Sequence, residues 1–433
     1  MRRMGVKYLY LFLLITLLMG NLFAQDRFPK PEFETDYYQP QTTTPLPDSQ
    51  LFNYLDVFLL VIGMSLAAYF SLKSRSRRGI FIISLLSVLY FGFFRKGCVC
   101  SVGSLQNFAL ALGNSGYVLP VLVGAVFILP LLFSLFFARS FCSSVCPLGA
   151  IQDLLVLKPL KLPSALSKVL SFLPYLYLGF AVLLAFTNSG FIICRYDPFI
   201  NIFRLSGDFN KIIYTGAFLI LCVLIARPYC RFLCPYGVLL GWMSGLSSRH
   251  VTITPTECIQ CKLCENSCPF DAIEKPSPEK VPETRTAGTK RVGILLLLIP
   301  LIIFVSGFAL SRLDNILARA NPTVRLAEQI RLEDEGVVKE TTLESRTFRS
   351  QEKTGEQLAN ESQNIVAQFR IGGWILGAFL GLTFSLKLFG LSVRRKREDY
   401  EPNPQHCFSC GRCWESCPVD RAPSAKVKKL GLK

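Results

Sequence analysis

The sequence predicts an α-helical polytopic membrane protein carrying a small cysteine-rich α+β module split in two along the chain. Three observations predict it: an apolar composition, about seven long apolar runs, and cysteines gathered in tight, repeated groups. Of 433 residues, 51% are hydrophobic, too many for an ordinary soluble chain, and long apolar runs read as membrane helices. The formal net charge of +17 would suit nucleic acid, but Lys and Arg cluster beside the apolar runs, as loops of membrane proteins require. Nucleic acid is therefore excluded as a partner and membrane lipid takes its place.

Residues 1–24 join a basic start (Arg2, Arg3, Lys7) to an apolar centre and end in "NLFAQ". They read as a signal peptide cut near Ala24, or as an uncleaved anchor. Residues 25–50 are Pro/Thr-rich and read as an exported linker. Apolar segments follow at 51–72, 79–94, 117–138, 168–187, 211–226, 292–311 and 371–391. The first five make a membrane unit over 51–250. Residues 251–290 are the first half of the cysteine-rich module and 291–311 a span. Residues 312–370 form an external, charged, helical insertion, 371–391 the last span, and 398–433 the second half. Basic residues in "KSRSRR", at Arg139, at Arg227 and at Arg394–Arg397 put alternate span ends in the cytoplasm; Arg95 and Lys96 oppose this and are outnumbered. This topology places both module halves in the cytoplasm of a bacterial inner membrane. It places the pairs Cys142/Cys146 and Cys230/Cys234 at the cytoplasmic face, and Cys98, Cys100 and Cys194 outside.

There are 16 cysteines and 2 histidines. Neither His250 nor His406 lies in a predicted span, and no CxxCH occurs, so intramembrane haem b and covalent haem are excluded. The strongest signal is "CIQCKLCENSCP" (Cys258, Cys261, Cys264, Cys268), repeated as "CFSCGRCWESCP" (Cys407, Cys410, Cys413, Cys417). This is the CxxCxxCxxxCP run of bacterial ferredoxins, whose thiolates suit [4Fe-4S] iron and whose fourth cysteine ligates the other cluster. Crossed ligation then assigns Cys258, Cys261, Cys264 and Cys417 to one cluster, and Cys407, Cys410, Cys413 and Cys268 to the second. An even number of spans separates the halves, so one split ferredoxin module can form.

Two further stretches, "ARSFCSSVCPLG" and "ARPYCRFLCPYG", each carry a CxxxCP pair. Cys142, Cys146, Cys230 and Cys234 together supply four thiolates, enough for a further thiolate-bound metal; a redox-active dithiol and a structural turn are the other readings. "GCVCSVGSLQN" echoes "GAIQD" after Cys146 and hints at a third, degenerate copy. Cys98, Cys100 and Cys194 read as an external disulfide, Cys98–Cys194 for example, or as a relay. Cys222 reads as packing. Asp56 reads as an aid to quinol proton release or as an interfacial residue. No nucleotide, hydrolase or protease motif is present, and no catalytic residue is assigned.

The two CxxxCP stretches (Cys142–Pro147, Cys230–Pro235) with the two ferredoxin runs (Cys258–Pro269, Cys407–Pro418) resemble the NapH/NosR-type polytopic iron–sulfur proteins. CcoG-like proteins are more distant cousins. The resemblance covers about 79–273 and 371–420. It implies an inner-membrane electron-transfer component with two [4Fe-4S] clusters, supplying exported reductases or metalloenzyme maturation. The chain departs from the pattern in three ways. No exported flavin-binding domain precedes the spans, no large exported domain follows them, and the 312–370 insertion displaces the second run. These departures leave partner and acceptor open.

The functional expectation is an electron-transfer subunit rather than a stand-alone enzyme. It passes electrons between cytoplasmic clusters and the quinone pool or an exported redox partner. The alternative is a metallocentre assembly factor or copper reductase. One difficulty is plain in the sequence: the hydrocarbon core is about 30 Å thick, and no haem is available to span it.

Overall fold

The computed structural model describes residues 50–97, 99–157, 159–207, 209–253, 258–277, 285–338, 341–350, 354–392 and 397–421. The expected signal peptide, nearly all of the linker, Cys98 and the basic residues at 394–396 lie outside the described residues.

Five helices are long and apolar enough to cross a membrane, by length and composition: Gln50–Lys73, Arg77–Phe94, Ala165–Phe186, Gly288–Ser311 and Gly355–Gly390. The third and fifth apolar segments form shorter helices, Val121–Phe137 and Phe209–Leu224, of 17 and 16 residues. At about 1.5 Å per residue these reach roughly 25 Å, short of the hydrocarbon core. Five of the seven expected spans therefore meet the length.

We number the elements used below in chain order. Helix α1 is Gln50–Ala68, extended by a π turn, and α2 is Arg77–Ser87, also running into π geometry. Ser76 starts α2 by accepting the Gly79 amide, an N-cap that satisfies an otherwise open donor. Then come α3 (Ser101–Gly113), α4 (Val121–Phe137), α5 (Pro147–Leu155), α6 (Leu173–Phe186) and α7 (Phe209–Leu224). Helix α8 is Pro235–Gly245 and α9 is Leu263–Ser267; strand β1 is Ile273–Glu274. Helix α10 is Arg285–Ser311, α11 is Pro322–Asp334 and α12 is Gly355–Ser392; β2 is Glu401–Pro402 and α13 is Arg412–Ser416.

The end of the insertion and the last span are one helix, α12, 38 residues long. It packs on α10 through Gly373, Gly377 and Gly381, spaced to share one helix face. A Cβ on Gly377 would lie 2.2 Å from the Ser306 carbonyl oxygen, and Ser306 Oγ donates to the Gly377 carbonyl at 2.8 Å. Small residues permit this close approach, as in membrane helix pairs. Helix α10 leaves Leu297, Leu301 and Phe304 exposed, an apolar surface suited to lipid.

This pairing brings the two halves of the module together. Strands β1 and β2 pair antiparallel, with Ile273 opposite Pro402 and Glu274 opposite Glu401. Phe270 and Phe408 meet edge to face at 4.9 Å. One hydrophobic core runs from the membrane helices into the module cysteines.

Candidate redox site

The two ferredoxin motifs adopt the same backbone path. In the first, Gln260 and Lys262 have positive φ (52° and 62°); in the second, Ser409 and Gly411 do (51° and 80°). Left-handed residues at matching positions turn the chain tightly enough to aim three successive cysteines inward. Each motif then ends in a single-turn helix, α9 or α13. The fourth cysteine is extended before its proline, because proline disfavours helix for the residue before it.

Two small cavities result. One is lined by Cys258, Cys261, Cys264 and Cys417, with Ile253 and Tyr400. The other is lined by Cys268, Cys407, Cys410 and Cys413, with Val251 and Phe270. Each gathers three thiols from one motif and the fourth from the other. Among the described residues, no three metal-binding side chains converge tightly enough for a single ion. Thiols spread around an apolar cavity fit a cubane, which takes one thiolate at each of its four irons. Burial pushes the Cys264 thiol up to about 11 and the Cys407 thiol up to about 12, so binding iron there releases protons.

The module is seated on the membrane unit by charged and aromatic contacts. Arg139 and Arg227, counted above among the loop charges, are buried. The Arg139 guanidinium lies 4.5 Å over the Phe408 ring and donates to the Gln405 carbonyl at 3.0 Å. Arg227 lies near Phe270 and Phe408, at 5.7 and 5.6 Å. It also donates to the Cys142 and Ser143 carbonyls, and stands 3.7 Å from Asp153. Asp153 in turn pairs with Arg412 of the module at 2.7 Å. Arg231 pairs with Asp271 at 2.7 Å, and the Trp414 indole donates to the Arg75 carbonyl at 3.0 Å.

The first CxxxCP stretch folds inward: Val145 packs 3.5 Å from the Cβ position of Gly63 in α1, and the Ser87 hydroxyl of α2 donates to its carbonyl. Helix α5 then returns from Cys146 toward the module, where Asp153 meets Arg412. Helix α8 does the same from Cys234, its Ser244 donating to the Pro404 carbonyl at 2.8 Å. Both are re-entrant elements with an extended cysteine at the N-cap and proline at N1, an arrangement suited to helix starts. The Gln152 amide joins the copies, donating to Cys230 Sγ at 3.3 Å and accepting from the Tyr229 amide at 3.0 Å.

The degenerate third copy has the same form. Cys100 caps α3, its sulfur accepting from the Gly103 amide at 3.5 Å, as Cys234 accepts from Gly237 at 3.3 Å. Gln106, at the place of Gln152, accepts from the amides of Ile193 and Cys194 at 3.1 and 3.4 Å. Cys100 is half-buried. It lines a small internal void together with Cys146, while α3 runs away toward the far end of the bundle, Gly113 meeting Phe186. Cys194 is exposed; both it and Cys100 are free thiols. Cys222 is fully buried in the core. Asp56 is also buried, pairing with Arg95 at 2.9 Å and accepting from the Tyr90 hydroxyl at 3.0 Å. This pairing gives Arg95 a role within the fold rather than in orientation.

Between the membrane unit and the module lies a cleft of about 570 Å³. Tyr175, Trp242, Phe408, Arg139 and His406 line it, and it reaches Cys230, Cys234 and Cys268. No motif marks this cleft in the sequence; the "AR" of the first repeat is its one visible trace, because Arg139 is on its wall.

Comparison with known proteins agrees with this site. A family model described as a 4Fe-4S binding domain matches residues 119–163 and 211–254, covering both CxxxCP stretches. A second 4Fe-4S binding domain model matches 251–274. The chain is 29% identical over 198 residues to an uncharacterised protein, MJ0750, of Methanocaldococcus jannaschii, covering 44% of this chain and 80% of that protein. It is 31% identical over 153 residues to YccM of Escherichia coli, whose name proposes electron transport, covering 31% of this chain and 43% of YccM. It is 29% identical over 153 residues to NirI of Paracoccus denitrificans, covering 32% of this chain and 22% of NirI. No solved structure matches the chain. The chain thus carries ferredoxin-type 4Fe-4S domains on a frame of membrane-span helices and is homologous to YccM and NirI.

Proposed function

We propose that this protein is a membrane iron–sulfur electron-transfer component exchanging electrons between its [4Fe-4S] groups and the quinone pool or an exported redox partner. The observation that carries this reading is the pair of four-cysteine cavities in a module seated directly on the CxxxCP stretches. Cys258, Cys261, Cys264 and Cys417 would hold one cluster, and Cys268, Cys407, Cys410 and Cys413 the second. Bound there, the clusters supply one-electron storage. Phe270 and Phe408 pack edge to face and present their rings to the buried arginines. Arg139 and Arg227 place positive charge beside the sulfur-rich centres. The similarity to YccM, named for electron transport, supports an electron-transport role.

The cleft is the proposed quinone site. Trp242 and Tyr175 offer faces for an aromatic head group, and Arg139 and His406 offer donors to its carbonyls. The module side is assigned to the cytoplasm of a bacterial inner membrane. The test is reduction of the clusters in the anaerobically purified full chain by a menaquinol analogue. Trp242→Ala should slow that reduction at least tenfold while leaving iron content unchanged. Equal rates in the two proteins would remove the quinone from the cleft.

A further inference from the structure

The re-entrant elements meet inside the bundle from opposite ends. Helices α5 and α8 start at Cys146 and Cys234 and run toward the module; α3 starts at Cys100 and runs the other way. Their N-termini gather around one buried region. Cys100 and Cys146 line the same void. Cys100 and Cys194 flank Gly103, the first sulfur 3.5 Å from its amide nitrogen and the second 3.4 Å from its Cβ position. With no side chain on Gly103, nothing from that residue screens the two sulfurs. The Tyr229 hydroxyl is buried there without a hydrogen-bond partner, within electrostatic reach of Asp197, Cys234 and Cys100. An unpartnered hydroxyl in such a place is costly unless it is used.

We infer that Cys100 and Cys194 form a redox-active disulfide pair that exchanges with the Cys142/Cys146 dithiol across this void. The Cys146 thiolate attacks Cys100 Sγ, forming a Cys146–Cys100 bond and breaking the bond to Cys194, which leaves as thiolate. The Cys142 thiolate then attacks Cys146, releasing Cys100. The net change is one disulfide lost at Cys100–Cys194 and one gained at Cys142–Cys146, with two electrons and two protons passing from the Cys142/Cys146 dithiol to Cys100 and Cys194. Tyr229 and Asp197 are the groups placed to pass those protons. The exchange balances within the chain and needs no metal. It would carry two electrons past the middle of the bundle to Cys194, whose exposure lets an exported disulfide-bearing partner collect them. It extends the electron route proposed above.

The experiment is disulfide mapping by mass spectrometry on the full chain after mild oxidation with diamide, with iron counted in the same samples. Wild type should show Cys100–Cys194 and Cys142–Cys146 disulfides. Cys142→Ser should trap the mixed Cys100–Cys146 disulfide, because the thiol that resolves it is gone, and Cys142→Ala should trap it as well, which covers a failure of either variant to fold. Cys146→Ser should lose it and retain Cys100–Cys194. The inference is overturned if Cys100 and Cys146 never join in either trapping variant. It is also overturned if wild type holds about twelve irons and Cys146→Ser about eight, because the CxxxCP thiols would then hold a third cluster. A normal iron count without the mixed disulfide sinks the exchange alone; a lack of iron sinks the reading of the module instead.

Discussion

Cys268→Ala separates crossed from local ligation. Cys268 belongs to the first motif in sequence, yet it lines the cavity of Cys407, Cys410 and Cys413. The cavity of Cys258, Cys261 and Cys264 takes Cys417 instead. Cys268 is 8% exposed, so alanine removes one buried sulfur at a packing cost of roughly 1–2 kcal/mol, too little to unfold the module. Iron should fall from about eight to about four per chain, since a cubane holds four. The surviving centre should be that of the first triad. Anaerobic iron analysis with EPR reads the count, and double variants read the identity. Adding Cys407→Ala should cost no further iron, because both changes strike one cluster, whereas adding Cys258→Ala should remove nearly all of it. The reverse pattern would refute crossed ligation.

Other consequences follow from the frame. Arg227→Met breaks a wholly buried charge contact, but Asp153 keeps Arg412 at 2.7 Å, so stability should fall by about 3 kcal/mol, the low end for a buried pair; a thermal shift equivalent to less than about 1 kcal/mol contradicts this. Gly377→Leu drives a Cβ to 2.2 Å from the Ser306 oxygen, which should separate α12 from α10 and displace the second module half. Both clusters should then be lost, and full iron retention would count against the helix pairing. Burial lifts Asp197 to about 6 from 3.8. A raised folded value means its stability contribution is present below about pH 4 and lost as pH rises through 6. Asp197→Asn should therefore gain up to about 3 kcal/mol on wild type between those limits, and a pH-independent difference between the two melting curves would contradict it.

The ferredoxin spacing made eight cysteines legible, because ligand spacing is a local property of the chain. The apolar runs were legible for the same reason. Depth was not. The short helices after Cys146 and Cys100 were not read, because a helix after "CP" or "CS" has no long apolar run, and the inward path of the first stretch is decided by the packing of Val145 on Gly63 and Ser87. Arg139 and Arg227 looked like orientation signals because a buried arginine and a loop arginine are the same letter. Their partners, the Cys142 carbonyl and the Phe408 ring, are brought close only by folding. The echo of "GSLQN" and "GAIQD" did carry the third copy: Gln106 and Gln152 accept amides at equivalent places. The long α12 was hidden because its charged first half and apolar second half differ in composition but not in helical geometry.

The most direct test of the account is the iron and spin count of the anaerobically purified full chain. About eight irons per chain are expected and, after reduction, EPR signals of two interacting [4Fe-4S] centres. A chain that folds in the membrane and binds no iron would contradict it.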